Sequence, residues 1–144
     1  MTFDERTERN IATLHPKAQE KARQFMQAVL PIMAQRGVVA RIISGTRSYA
    51  EQDALFAKRP QVTKARGGYS NHNFGIAWDI GLFREKDYLE DSPLYRECGE
   101  IGRSLGLEWG GDWKSFKDEP HFQVPTGLTM AQLRARVAAG QSVL

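Results

Sequence analysis

The sequence predicts an α+β fold in which a small, mainly antiparallel sheet is packed with helices. Apolar residues recur at three- and four-residue intervals early in the chain, β-branched and aromatic runs of strand length occupy the middle, and a capped helical segment follows them. No regular alternation of strand and crossover helix is visible, which disfavours a doubly wound parallel sheet. With 144 residues, 41% hydrophobic and 26% charged, the chain is sized for one core, and disordered or collagen-like classes are excluded.

The elements follow in order. Asp4 to Leu14 reads as a short polar helix, and Pro16 suits the first turn of a second. Ala22, Phe25, Met26, Val29, Ile32 and Met33 form one stripe on that long helix, with Pro31 expected to kink its last turns and Gly37 to end it. The charges of Lys17, Glu20, Lys21 and Arg23 read as its solvated face. Val38 to Ile43 is a strand, and the turn Ser44-Gly45-Thr46-Arg47-Ser48 leads to a helix over Tyr49 to Lys58 with Ala50, Leu55 and Phe56 on its inner face. Arg59 to Asn73 is a polar loop without periodicity, a length that often carries function. Phe74 to Phe83 is a strand; Ser92 caps a helix over Leu94 to Leu105 that Gly106 closes. A last strand is expected near His121 to Val124, then a helix from Thr129 to Ala139 ending at Gly140.

Composition narrows the chemistry. Cys98 is the single cysteine, so an intrachain disulfide and a thiolate metal cluster are excluded, and helix packing is its expected role. The formal charge of +3 gives mild attraction to any polyanion but names no partner, and the basic residues are interleaved with acids. The longest apolar run, Ala28 to Ala34, is broken by Pro31 and falls far short of the roughly 20 residues a membrane span needs. The first residues lack a basic cluster followed by an apolar stretch, so no secretory signal is expected.

Of the histidines, His15 precedes Pro16 at a helix start and reads as structural. His72 lies seven residues before Asp79, an aspartate in an otherwise apolar segment that needs a partner, and His121 follows Asp118 and Glu119 beside a predicted strand. Two imidazoles and a carboxylate are a usual ligand set for catalytic zinc, although hydrogen-bonded core or loop side chains would also explain them.

The motif Ser-x-His-x-x-Gly-x-Ala-x-Asp, spelled by Ser70, His72, Gly75, Ala77 and Asp79, resembles the zinc-ligand signature of the M15 metallopeptidases, a group of D-Ala-D-Ala carboxypeptidases, D,D-dipeptidases and L-alanyl-D-glutamate endopeptidases. A second block, an acid three residues before a histidine, is matched by Asp118 and His121, and an arginine block by Ser44 to Ser48 with Gln52. The stretch Trp109-Gly110-Gly111-Asp112-Trp113 is similar to the endolysin members.

The resemblance implies an M15 peptidase-like fold in which His72, Asp79 and His121 bind Zn²⁺, Asp118 is the general base and Arg47 stabilises the oxyanion. Gln52 and Ser70 would contact substrate, although an exposed helix residue and a hydroxyl bonding its own backbone are the plainer readings. Glu119 rivals Asp118, because strand alternation puts residue 119 on the face of His121. Gly75 and Ala77 either keep bulk away from the metal or pack a strand, and Trp78 is expected in the core. Asp118 and Phe122 stand where the carboxypeptidase branches carry glutamate and tryptophan, which resembles the L-alanyl-D-glutamate endopeptidases.

The implied activity is hydrolysis of the L-alanyl-D-glutamate bond of the peptidoglycan stem peptide, by an endolysin or a wall-remodelling enzyme. Carboxypeptidase or dipeptidase action and an inactive wall-binding domain are the alternatives. Residues 1–144 are expected to form a single peptidase domain without a separate cell-wall-binding module. It is expected to be a monomer, to bind neither nucleic acid nor membrane, and to reach the wall from the cytoplasm through a holin.

Overall fold

A computed structural model describes residues 2–144. The first helix, α1 (Glu5–Ala12), starts at Asp4, whose carboxylate accepts from Thr7 N. His15 caps α2 (Pro16–Gln35), its Nδ1 accepting from Lys17 N, so its role is structural as expected. Ala18, Ala22, Phe25, Met26, Val29 and Met33 form the buried stripe of α2, which continues through the exposed Pro31 to Gln35. Gly37 then turns the chain with a φ of +70°. Arg23 is not merely solvated: its guanidinium holds the carboxylate of Glu8 at 2.6 Å and ties α2 to α1.

The strands are β1 (Val39–Ser44), β2 (Ala77–Arg84), β3 (Asp87–Leu89), β4 (Glu108–Trp109) and β5 (His121–Gln123), all paired antiparallel. Their order is β1-β2-β5-β4, with β3 folded back on the far end of β2. Strand β2 begins three residues later than predicted, because His72 sits in a 3₁₀ turn (Asn71–Asn73) and Gly75 takes a φ of +74°. The short β3 and β4 were not expected. Glu85 makes the β2–β3 turn with a φ of 58°, a conformation that Gly or Asn normally advertises, and β4 has only two residues.

One face of the sheet presents Ala40, Ile42, Trp78, Ile80, Leu82, Trp109 and Phe122 to the core, where α1, α2 and α4 (Leu94–Ser104) cover it. Cys98 is buried in that layer, and Trp78 has no exposed surface. The N-cap of α4 is Pro93, one residue beyond the predicted Ser92, whose hydroxyl accepts from Leu94 N. On the opposite face Phe74, Ile76 and Ala77 pack against Leu133 of α5 (Met130–Ala138), which Thr129 caps. Of the residues expected on the inner face of α3 (Tyr49–Phe56), Ala50 is exposed and Leu55 and Phe56 are half-buried; its one buried residue is Gln52. A polar inner face needs polar partners, and these lie in the site.

Candidate metal and active site

The site lies on the sheet face opposite the main core. Asp79 of β2 and His121 of β5 are register partners, so their side chains rise side by side from that face. His72 approaches from its 3₁₀ turn, which Ser70 caps by accepting from His72 N at 3.2 Å. Imidazole nitrogens of His72 and His121 and a carboxylate oxygen of Asp79 all lie within 4.8 Å of one another. His72 Nε2 stands 3.2 Å and His121 Nδ1 3.1 Å from the same Asp79 Oδ1.

The outer nitrogens explain this convergence. His72 Nδ1 is 2.8 Å from the carbonyl oxygen of Gly45, which can only accept, so Nδ1 carries the hydrogen. His121 Nε2 donates likewise to Gln123 Oε1 at 2.6 Å. With those hydrogens on the outer nitrogens, Nε2 of His72 and Nδ1 of His121 both point at one carboxylate oxygen of Asp79. Three lone pairs meeting at one point call for a cation, and the outer partners fix the tautomers as they do for metal-ligating histidines. A proton competes for the same place: burial opposes a charge on His121, but its hydrogen bond to Asp79 and that residue's charge outweigh burial and push its imidazole upward. The donor set fits a divalent metal with an open position.

Two further predicted residues join the trio. Asp118 Oδ2 lies 3.9 Å from His121 Nδ1, and its side chain is 45% exposed, open to a reactant. Burial and the negative charge of Asp79 push its carboxyl above the ordinary carboxylate range. It reaches the site because residues 118–121 form a turn rather than a strand: His121 N donates to the Asp118 carbonyl, and Asp118 N to the Gly110 carbonyl. A Cβ on Gly110 would run into the Asp118 carbonyl, so the glycine permits this close approach. Strand alternation accordingly fails for Glu119, whose carboxylate binds Arg96 at 3.2 Å while its carbonyl accepts from Trp109 Nε1.

Arg47 leans over Asp79, its Nη2 3.7 Å from Oδ2. Its Nη1 donates to Gln52 Oε1 and its Nη2 to Ser44 Oγ. Ser44 faces Asp79 because a bulge between Ile42 and Ser44 shifts the register and puts the hydroxyl where Ile43 would otherwise stand. Gln52 has no exposed surface; its Nε2 donates to the Ala65 carbonyl, so it positions Arg47 and the polar loop. Ser70 likewise positions His72. Gly75 and Ala77 serve packing rather than the metal's surroundings: a Cβ on Gly75 would press on His15 N at 3.0 Å, and Ala77 lies in the cluster under α5.

Sequence reasoning missed Gln123, Ser44 and Trp113. The indole of Trp113 lies 4.9 Å from the His121 ring and donates from Nε1 to Glu108. The signals were indirect: Ser44 and Trp113 lie in stretches that the family resemblance marks without giving either residue a role, and Gln123 is two residues from His121 within one strand.

Comparison with known proteins agrees with this geometry. The family model described as D-alanyl-D-alanine carboxypeptidase, an M15 peptidase model, matches residues 63–124. The peptidoglycan L-alanyl-D-glutamate endopeptidase CwlK of Bacillus subtilis (strain 168) is 36% identical over 126 residues, covering 77% of this chain and 73% of CwlK. The crystal structure of the Serratia marcescens L-Ala D-Glu endopeptidase ChiX superposes with a TM-score of 0.65 at 27% identity, covering 88% of this chain and 92% of that one. The D,D-pentapeptidase VanY, in complex with Zn(II), shares the fold at 16% identity with a TM-score of 0.54, covering 90% of this chain and 81% of that one. On this likeness to CwlK, to ChiX and to the family model, the chain belongs to the M15 peptidases.

Proposed function

We propose that the chain is a zinc-dependent peptidoglycan endopeptidase that hydrolyses the bond between L-Ala and D-Glu of the stem peptide. The observation that carries this reading is the convergence of His72, Asp79 and His121 beside Asp118 and Arg47, in a chain aligned over 77% of its length with an endopeptidase of that name.

His72 Nε2, the Asp79 carboxylate and His121 Nδ1 would hold the ion. When bound, zinc supplies Lewis acidity, which polarises a peptide carbonyl and acidifies water near neutral pH. The raised carboxyl of Asp118 suits proton transfer: as carboxylate it takes a proton from the attacking water, and as acid it returns that proton to the leaving amine. Arg47, held by Gln52 and Ser44, keeps further N–H groups for the carbonyl oxygen as negative charge develops there. Gln52 and Ser70 support binding by holding Arg47 and His72. The span acts as one monomeric peptidase unit on the stem peptide, not on nucleic acid, and works at the cell wall; delivery as an endolysin through a holin belongs to the same proposal. No helix among the described residues is long and apolar enough to cross a membrane.

The description of the matching family model favours a second reading, D-Ala-D-Ala carboxypeptidase action. Digestion of purified sacculi, with new termini identified by mass spectrometry, separates the two. New amino-terminal D-Glu is the expected product; release of D-Ala without it would overturn the endopeptidase reading. An inactive wall-binding domain would give neither.

A further inference from the structure

The outer face of the sheet, from which Asp79 and His121 rise, has two ends. Toward Ala77 it is roofed by α5, whose Leu133 packs with Phe74, Ile76 and Ala77. Toward Arg84 it stays open to solvent, with Tyr88 47% and Val39 44% exposed. Alternation along β2 puts Gly81 and Phe83 on this face after Asp79, and register sets Arg41 beside Gly81 and Tyr88 beside Phe83.

Gly81 shapes the open end. In the space that a side chain would fill there, the rings of Phe83 and Tyr88 lie down across the strand. Their Cε1 atoms come within 3.0 Å and 3.2 Å of where a Cβ on Gly81 would stand, and Ile43 Cγ2 within 3.1 Å. The two ring centroids are 5.5 Å apart, and the Arg41 guanidinium lies 4.8 Å from the Phe83 centroid. Cover of a strand glycine accounts for the inner faces of these rings. Tyr88 also offers ring surface to solvent, and a guanidinium stacked by its face keeps N–H edges for the oxygens of a ligand.

Strand rise fixes the distance from the reaction. Gly81 lies two residues beyond Asp79, about 7 Å along β2. In peptidoglycan the lactyl group of muramic acid acylates the amino group of L-Ala. One residue and that link therefore separate the scissile bond from the first sugar ring, again about 7 Å when extended. A glycan strand runs on past that ring, so it fits the open end of the face and not the end roofed by α5.

From this geometry we infer that Arg41, Phe83 and Tyr88 form a glycan-binding platform beside the active site. The rings of Phe83 and Tyr88 take the apolar C–H face of an N-acetylated sugar, and Arg41 donates to its hydroxyl or acetamido oxygens. The inference rests on the endopeptidase reading.

The test compares hydrolysis by zinc-loaded protein of two substrates with the same stem peptide. One has only a lactyl cap on L-Ala, and the other carries the whole N-acetylglucosaminyl-N-acetylmuramyl disaccharide. The disaccharide substrate should be cleaved with a kcat/KM about 10-fold above the capped peptide, the worth of one good stacked contact. In Tyr88→Ala and in Arg41→Gln that ratio should fall to within about a factor of two of unity, while the capped peptide, which does not reach the platform, is cleaved at the wild-type rate. A ratio at or below unity in the wild type would overturn the platform without any variant being needed. A ratio that survives in both variants would overturn the role of these residues, and equal loss of both substrates would show that they only stabilise the sheet. Cleavage of neither substrate by the wild type would refute the endopeptidase reading itself, and the inference with it.

Discussion

Gln123 Oε1 accepts a hydrogen bond of 2.6 Å from His121 Nε2, and this contact decides which nitrogen of His121 faces the metal position. With Nε2 holding its hydrogen, Nδ1 is the free donor. Gln123→Ala should weaken zinc binding about 10- to 100-fold, the usual cost of losing such a partner, whereas Gln123→Glu, a stronger acceptor, should not. Competition titration against a zinc-binding dye reads this directly, and an unchanged affinity in Gln123→Ala would remove the residue from the metal's support.

Asp118 and Glu119 make a sharp pair. Asp118→Asn should keep zinc and fold while hydrolysis falls by about 10²–10⁴, the range for loss of a general acid–base. Glu119→Gln loses an ion pair with the well-exposed Arg96 and should change stability by less than about 1 kcal/mol, with activity near wild type. Steady-state kinetics and thermal melts on both variants check this; a reversed order would transfer the base to Glu119.

Arg47→Ala should lower kcat about 10²–10³-fold with a smaller change in KM, because the charge it faces appears only in the transition state. Arg47→Lys keeps charge but not the fork that meets both Gln52 and Ser44, so it should recover only part of the loss. Near wild-type rates in Arg47→Ala would leave this arginine outside the reaction.

Glu8 supplies a pH test remote from the site. The Arg23 guanidinium and Phe3 N hold its carboxyl down at about 2, against an ordinary value of 4.5. A carboxyl depressed in the folded state stabilises above its unfolded value, and that stabilisation is lost as pH falls through the folded value. Glu8→Gln should therefore melt below wild type at pH 7, and the gap should close between about pH 4.5 and about pH 2. A gap that stays constant with pH would show that the Glu8 contribution is not ionic.

Much of this site was legible because its chemistry is carried by residue type and spacing. His72, Asp79 and His121 stand out as the polar residues of apolar or strand-like segments, and the turn before α3 displays Arg47. Periodicity likewise marks the stripe of α2 and the caps of α5. What escaped the sequence depends on register and turns. Ser44 reaches Asp79 through a bulge that no local pattern announces. Asp118 displaces Glu119 because a turn, admitted by the bare backbone of Gly110, interrupts the alternation that residue counting assumes. The polar inner face of α3 defeats an amphipathic reading, since Gln52 is buried for the sake of Arg47.

The central claim is that three converging lone pairs form the metal centre on which hydrolysis depends, and the most direct measurement is metal content set against activity in one preparation. Elemental analysis of purified, lytically active protein should find about one zinc per chain, with His121→Ala losing both metal and activity and His15→Ala keeping both, since two remaining ligands hold zinc poorly. Active protein without stoichiometric metal, or full zinc retained in His121→Ala, would contradict the account.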